Sequence, residues 1–145
     1  MPFCTRNPLV RIIVSGEISN RNYGQGHHWT KSNHAKKKMF KLCKDAKYFR
    51  YSPRQDEYLP ASIKECSIPS RQPVNIVATR ILGKGQRLWD ADSILRGDFK
   101  QLMDSIVQLG ILEDDGPKFV KNVLGQQDSQ RRHEGPSFEI MIYEA

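Results

Sequence analysis

The sequence predicts a single α+β domain in the order β-α-β-α-β-β, with a mixed sheet and two main helices. Three observations lead there. Stretches rich in β-branched and apolar residues occur at 9–15, 74–82, 118–124 and 137–144. Two longer segments repeat their apolar residues at helical spacing, and no internal repeat or low-complexity tract interrupts them. At 145 residues the chain is long enough for one core and too short to expect two, so residues 1–145 form one unit.

The first strand is "LVRIIVS" (9–15). The polar segment 17–33, "EISNRNYGQGHHWTKSN", carries Gly24 and Gly26 and predicts a loop that presents side chains. Thr30 or Ser32 can cap a helix running to about Phe49. Its apolar residues Ala35, Met39, Leu42, Cys43 and Ala46 share one face, and lysines occupy the other. Residues 50–73 hold Pro53, Pro60, Pro69 and Pro73 without a clear period, which predicts a long proline-containing connection. "VNIVATRIL" (74–82) is the next strand and "GKGQ" (83–86) a turn. A second helix fits about Ser93–Leu109 on the stripe Leu95, Phe99, Leu102, Met103 and Ile106, with Gly110 placed for a helix end that needs positive φ. "KFVKNVL" and "SFEIMIYE" supply the last strands, and "GQQDSQRRHEGP" between them reads as an exposed hairpin connection.

Charge is distributed unevenly. Residues 1–60 carry a balance of +8, residues 61–89 +4, residues 90–117 −5 and the rest zero, which sums to the net +7. A basic body with one acidic segment suits a polyanion bound around a metal, although lysines also keep small proteins soluble. Cys4, Cys43 and Cys66 are odd in number and form no Cys-x-x-Cys pair, so reduced thiols and a cytoplasmic setting are expected. "LVRIIV" is too short to span a bilayer and lacks signal-peptide flanks. No membrane partner and no organic cofactor are expected.

The acids fall into two groups. Asp90 and Asp92 sit in "RLWDADS", and Asp114 and Asp115 in "GILEDDGP". Clustered carboxylates repel unless a hard cation lies among them, and magnesium matches oxygen ligands shared with phosphate. Each pair also has an ordinary reading: helix N-terminal residues for the first, a turn for the second. A helix from Ser93 would separate the pairs by about 25 Å. They meet only if that helix starts later or the chain folds back beside it.

The run "KQLMDSIVQLGILEDD" (100–115), the Asp-x-Asp before it, the loop "SNRNYGQGHHWTKSNHAKKK" (19–38) and the ending "FEIMIYE" resemble the RusA family of Holliday junction resolvases. The likeness covers most of the chain except residues 50–72. Two departures stand out: Ser93 replaces the family asparagine, and Arg96 stands four residues after Asp92 where the family has lysine. Lys100 keeps the family spacing to Asp104, Gly110 and Asp115, as though one helical turn had been inserted. The resemblance implies a homodimer acting on branched double-stranded DNA. It implies magnesium held by Asp90, Asp92 and Asp115 with Asp114 in support, and a catalytic lysine at Lys100 or, alternatively, a basic group at Arg96. A DNA-binding relative without catalysis, or a nuclease for other branched DNA, are the alternatives.

Gripping a junction requires cations along several phosphates. Asn20, Arg21, Asn22, Lys31, Lys36, Lys37, Lys38 and Arg96 are the candidates for that role, while Tyr23 or Trp29 could stack on bases. "GKG" at 83–85 lacks the spacing of a phosphate loop, and His27, His28 and His34 lack helical metal spacing.

Overall fold

All eight residues of Val74–Ile81 are buried, because this strand has neighbours on both edges and helices over one face. The computed structural model describes residues 5–16, 29–90 and 93–145, with side chains of the first helix described from His34 onward. The elements are β1 (Pro8–Ser15), α1 (Trp29–Lys44), β2 (Lys47–Ser52), β3 (Glu57–Pro60), β4 (Val74–Ile81), α2 (Asp98–Gln108), β5 (Val120–Asp128) and β6 (Ser137–Glu144). They form one six-stranded mixed sheet in the order β3-β2-β1-β6-β4-β5. The α+β class with two helices is as the sequence predicts.

Both helices cover the same sheet face. Val10, Ile12 and Val14 of β1, Ile76 and Ala78 of β4, and Phe138, Ile140 and Ile142 of β6 share one core with Met39 and Cys43 of α1. Phe99, Leu102, Met103 and Ile106 of α2 complete it. These strand residues alternate because side chains repeat with period two along a strand. Each fully buried isoleucine contributes roughly 1.5–3 kcal/mol. Burial pushes the Cys43 thiol up to about 12 and also raises Cys66, so neither is a ready nucleophile. Among the described residues no helix is long and apolar enough to cross a membrane.

The first helix starts at Trp29, ahead of both Thr30 and Ser32, and four further boundaries differ from the sequence expectation. First, α1 stops at Lys44 rather than Phe49, because "KYFRYS" pairs with β1 from Val10↔Arg50 to Ile13↔Lys47. Second, the proline-containing connection is largely structured: β2 and β3 form a hairpin around residues 53–56, with Asp56 at φ 53. Pro60 is tolerated because β3 lies at the sheet edge. A 3-10 turn at Lys64–Cys66 follows, where Ser62 and Glu65 satisfy each other's backbone N–H. Third, α2 begins at Asp98, not Ser93, since Gly97 at φ 61 breaks the helical path. Fourth, residues 125–136 are not a hairpin connection. β5 runs on to Asp128 in parallel with β4, and β6 inserts between β4 and β1. The parallel β4–β5 pair is joined through α2, as a crossover requires.

The topology fixes where functional loops gather. β1 and β4 both run antiparallel to β6, and β5 is parallel to β4. The C-terminal ends of β1, β4 and β5 therefore share one end of the sheet. Gly16 N–H donates to Pro136 O at 3.0 Å, tying the exit of β1 to the segment before β6.

Candidate functional site

The first turns of α2 carry Lys100 and Asp104 one helical turn apart, and the ammonium lies 3.1 Å from Asp104 Oδ1. The same Nζ lies 3.2 Å from Asp115 Oδ2. Asp115 reaches it because the chain reverses after α2. Gly110, at φ 84, donates to Val107 O, and Ile111 N–H donates to Ile106 O, the paired bonds that close a helix with a left-handed residue. Ile111 and Leu112 are buried, and Ile111 O accepts from Ile68 N at 2.8 Å. The chain thus returns beside the helix with Asp115 half-buried and Asp114 exposed.

Hydrogen bonds to Asp104, then to Asp115, hold the Lys100 pKa above the usual lysine value. Lys100 therefore stays protonated near neutral pH, which suits it to stabilise negative charge and not to remove a proton. Its side chain is 71% exposed, so these ion pairs contribute only about 0–1 kcal/mol each to stability.

The other acid segment is fixed differently. Gln127 of β5 lies beside Arg80 of β4 in the parallel register. Gln127 Oε1 accepts from Trp89 N at 2.8 Å and from Arg80 Nη1 at 2.9 Å, while its Nε2 donates to Trp89 O at 2.9 Å. Arg80 also donates to Arg87 O at 2.9 Å and stacks 3.8 Å from the Trp89 ring centre. Residues 87–89 are thereby clamped to the sheet immediately before Asp90. Asp90 is exposed, and its carbonyl accepts from Ser93 N at 2.9 Å. Ile94 packs so tightly over Gly125 of β5 that a Cβ there would lie 3.0 Å from it. Asp92 lies outside the described residues.

The late start of α2 bears on whether the two acid groups can meet. The helix spans 11 residues rather than the expected seventeen or so, which removes about 9 Å of separation. Among the described residues no three His, Cys, Asp or Glu side chains are grouped closely enough to hold a metal. The donors present, Asp90, Asp104, Asp114 and Asp115, are hard carboxylate oxygens of the kind magnesium accepts. The Lys100 ammonium sits as a cation between two of them.

Of the remaining candidates, Lys36, Lys37 and Lys38 are exposed on α1, and Arg96 is exposed ahead of α2. Lys100 rather than Arg96 is the group in contact with Asp115. Asn20, Arg21 and Asn22 lie outside the described residues, as does the side chain of Lys31. Sequence reasoning names the Lys100–Asp104 spacing without giving Asp104 a role, and it misses both members of the Arg80–Gln127 clamp. The i,i+4 spacing signals the ion pair. An arginine inside an apolar strand signals the clamp, because a buried cation needs partners. Compared with protein-family models, curated proteins and solved structures, the chain has no match.

Proposed function

We propose that this protein is a magnesium-dependent, structure-selective endodeoxyribonuclease that resolves four-way DNA junctions as a homodimer in the cytoplasm. The single observation that most supports this reading is the hydrogen bond of Lys100 to Asp115 across fifteen residues of chain. It brings a permanently charged ammonium to the acid that the resemblance to the RusA family assigns to the metal. In this reading Asp90, Asp92 and Asp115 hold magnesium and Asp114 supports them. The bound ion would supply Lewis acidity and a water of lowered pKa. Lys100 then orients a phosphoryl oxygen and offsets charge developing on it. Gln127 and Arg80 hold residues 87–89 against the sheet, so the backbone leading to Asp90 is placed before DNA binds. Lys31, Lys36, Lys37, Lys38 and Arg96, with Asn20, Arg21 and Asn22, contact phosphates along the arms. Two equivalent sites suit two equivalent strands, hence a twofold dimer.

Cleavage of a synthetic four-way junction tests the proposal. Paired symmetrical nicks that require magnesium and vanish in Asp115→Asn support it. Tight binding without product at any magnesium concentration favours a non-catalytic junction-binding protein. That second reading draws on the ammonium already neutralising Asp115 and on Ser93 in place of asparagine. Equal cutting of flaps and forks would widen the substrate to branched DNA in general.

A further inference from the structure

At the end of the sheet that carries Asp90, a second group of cations surrounds an open cleft. It is lined by Lys84, Gly85, Gln86, Arg132 and His133, with a volume of about 460 Å³. The geometry points to this cleft as a second phosphate-binding site, gripping the backbone of a DNA duplex next to the candidate metal centre. The assignment rests on the nuclease reading for the identity of its polyanion, and its own support is as follows.

The cleft is built from two segments locked together. Arg132 Nη1 donates to Gly83 O at 2.7 Å and to Gln86 O at 2.8 Å. Gln86 Oε1 in turn accepts from Gly83 N at 2.7 Å. Both bonds are made by Nη1, and planar guanidinium forks of this kind match phosphate oxygens. The guanidinium is positioned before any ligand arrives, so little side-chain freedom is lost on binding. Lys84 and Arg87 are exposed on the same loop, and the His133 side chain is 80% exposed. His133 Nε2 lies 3.9 Å from Glu134 Oε2, beyond hydrogen-bonding distance. The adjacent Arg131 is engaged by Asp128 and Glu139 and belongs to the scaffold.

Position completes the case. Gln86 and Asp90 are four residues apart, so their Cα atoms lie within about 14 Å of one another. At about 3.4 Å per base step along one strand, that is roughly four steps. A duplex seated in the cleft would present a phosphate within a few steps of the Asp90 carboxylate.

The test measures binding of a plain DNA duplex, by fluorescence anisotropy over a salt series in EDTA, for the full chain and two variants. Lys84→Glu combined with Arg132→Gln is expected to weaken binding about 10- to 100-fold at low salt. It should also lower the log–log salt slope by about 1.8, or about 0.9 for each phosphate no longer neutralised. Because Arg132 holds the loops together, Lys84→Glu with His133→Glu serves as the second pair, altering exposed side chains only, and is expected to weaken binding at least about 5-fold. Parental affinity and slope in whichever pair folds would overturn the cleft while leaving the nuclease reading intact. Weakened binding in variants of a parent chain that never cuts a junction supports the cleft and removes the nuclease reading. A parent that binds no duplex at any salt overturns the cleft, and the nuclease reading is then judged by junction cleavage alone.

Discussion

Two clusters of charge occupy opposite faces of the sheet, and only one of them holds the molecule together. On the face away from the helices, Glu139 is buried and receives Arg11 Nε at 2.8 Å and both Arg131 Nη atoms at 3.2 and 3.3 Å. Arg131 also binds Asp128 at 2.8 Å. This network joins β1, β6 and the exit of β5. On the other face, Lys100, Asp104 and Asp115 form ion pairs with a largely exposed ammonium. The chemistry is the same, yet the Glu139 side chain at the centre of the first cluster is 9% exposed and the Lys100 side chain of the second is 71% exposed. A buried pair left half-broken is costly, whereas an exposed pair breaks for little. The exposed cluster is therefore the one able to exchange its ammonium for a phosphate or a metal without disturbing the fold.

Four changes separate these roles, ranked by their expected effect on stability. Glu139→Gln leaves two arginines without their shared anion and is expected to cost about 3 kcal/mol, read from denaturant unfolding at pH 7. Its pH dependence carries a sign. Burial raises the Glu139 pKa, but hydrogen bonds from Arg131 and Arg11 outweigh it, leaving the group below its ordinary 4.5. The stabilisation is thus complete well above that ordinary value and lost as pH falls through the lower folded value. The gap between parent and variant should narrow as pH falls below the ordinary 4.5, and a constant gap would contradict the assignment. Gln127→Ala strands the Trp89 N–H and removes one acceptor of Arg80, for about 1–3 kcal/mol. Lys100→Ala is expected to change stability by less than about 1 kcal/mol while lowering junction cleavage by about 10²-fold or more. A stability loss equal to that of Gln127→Ala would erase the contrast between the clusters. Lys36→Glu with Lys37→Glu should leave unfolding unchanged and flatten the salt dependence of DNA binding, by about 0.9 for each phosphate the pair had neutralised. An unaltered slope would make that face a solvated surface only.

The sequence carries these two clusters unequally. Lys100 and Asp104 are legible as an i,i+4 pair, but nothing local in the sequence brings Asp115 to the same ammonium. That meeting depends on the reversal at Gly110 and the burial of Ile111 and Leu112. Glu139 reads as one polar residue in an alternating strand, and its two arginines come from distant segments. The strands β1, β4 and β6 are plain from their composition, because apolar alternation reports burial directly. Their neighbours are not, since alternation says that a residue faces a core and not which strand lies beside it. Pro53 and Pro60 conceal the hairpin β2–β3, although an edge strand and its turn accommodate both. Leu95 continues the helical stripe and so places the start of α2 too early in the sequence. In the structure it is 39% exposed, and Gly97 interrupts the helical path after it. Arg80 signals only its own half of the clamp; Gln127, a neutral amide in a polar strand, gives no sign that it holds a tryptophan backbone from both sides.

Convergence of the two acid segments on one cation is the central claim, and manganese substituted for magnesium reads it most directly. In a titration of the isotope-labelled protein, paramagnetic broadening should reach amides around Asp90 and Asp92 and those around Asp114 and Asp115 together. Both groups should follow one shared apparent Kd and be abolished together by Asp115→Asn. Broadening confined to one segment, or two segments responding with separate affinities, would contradict the account.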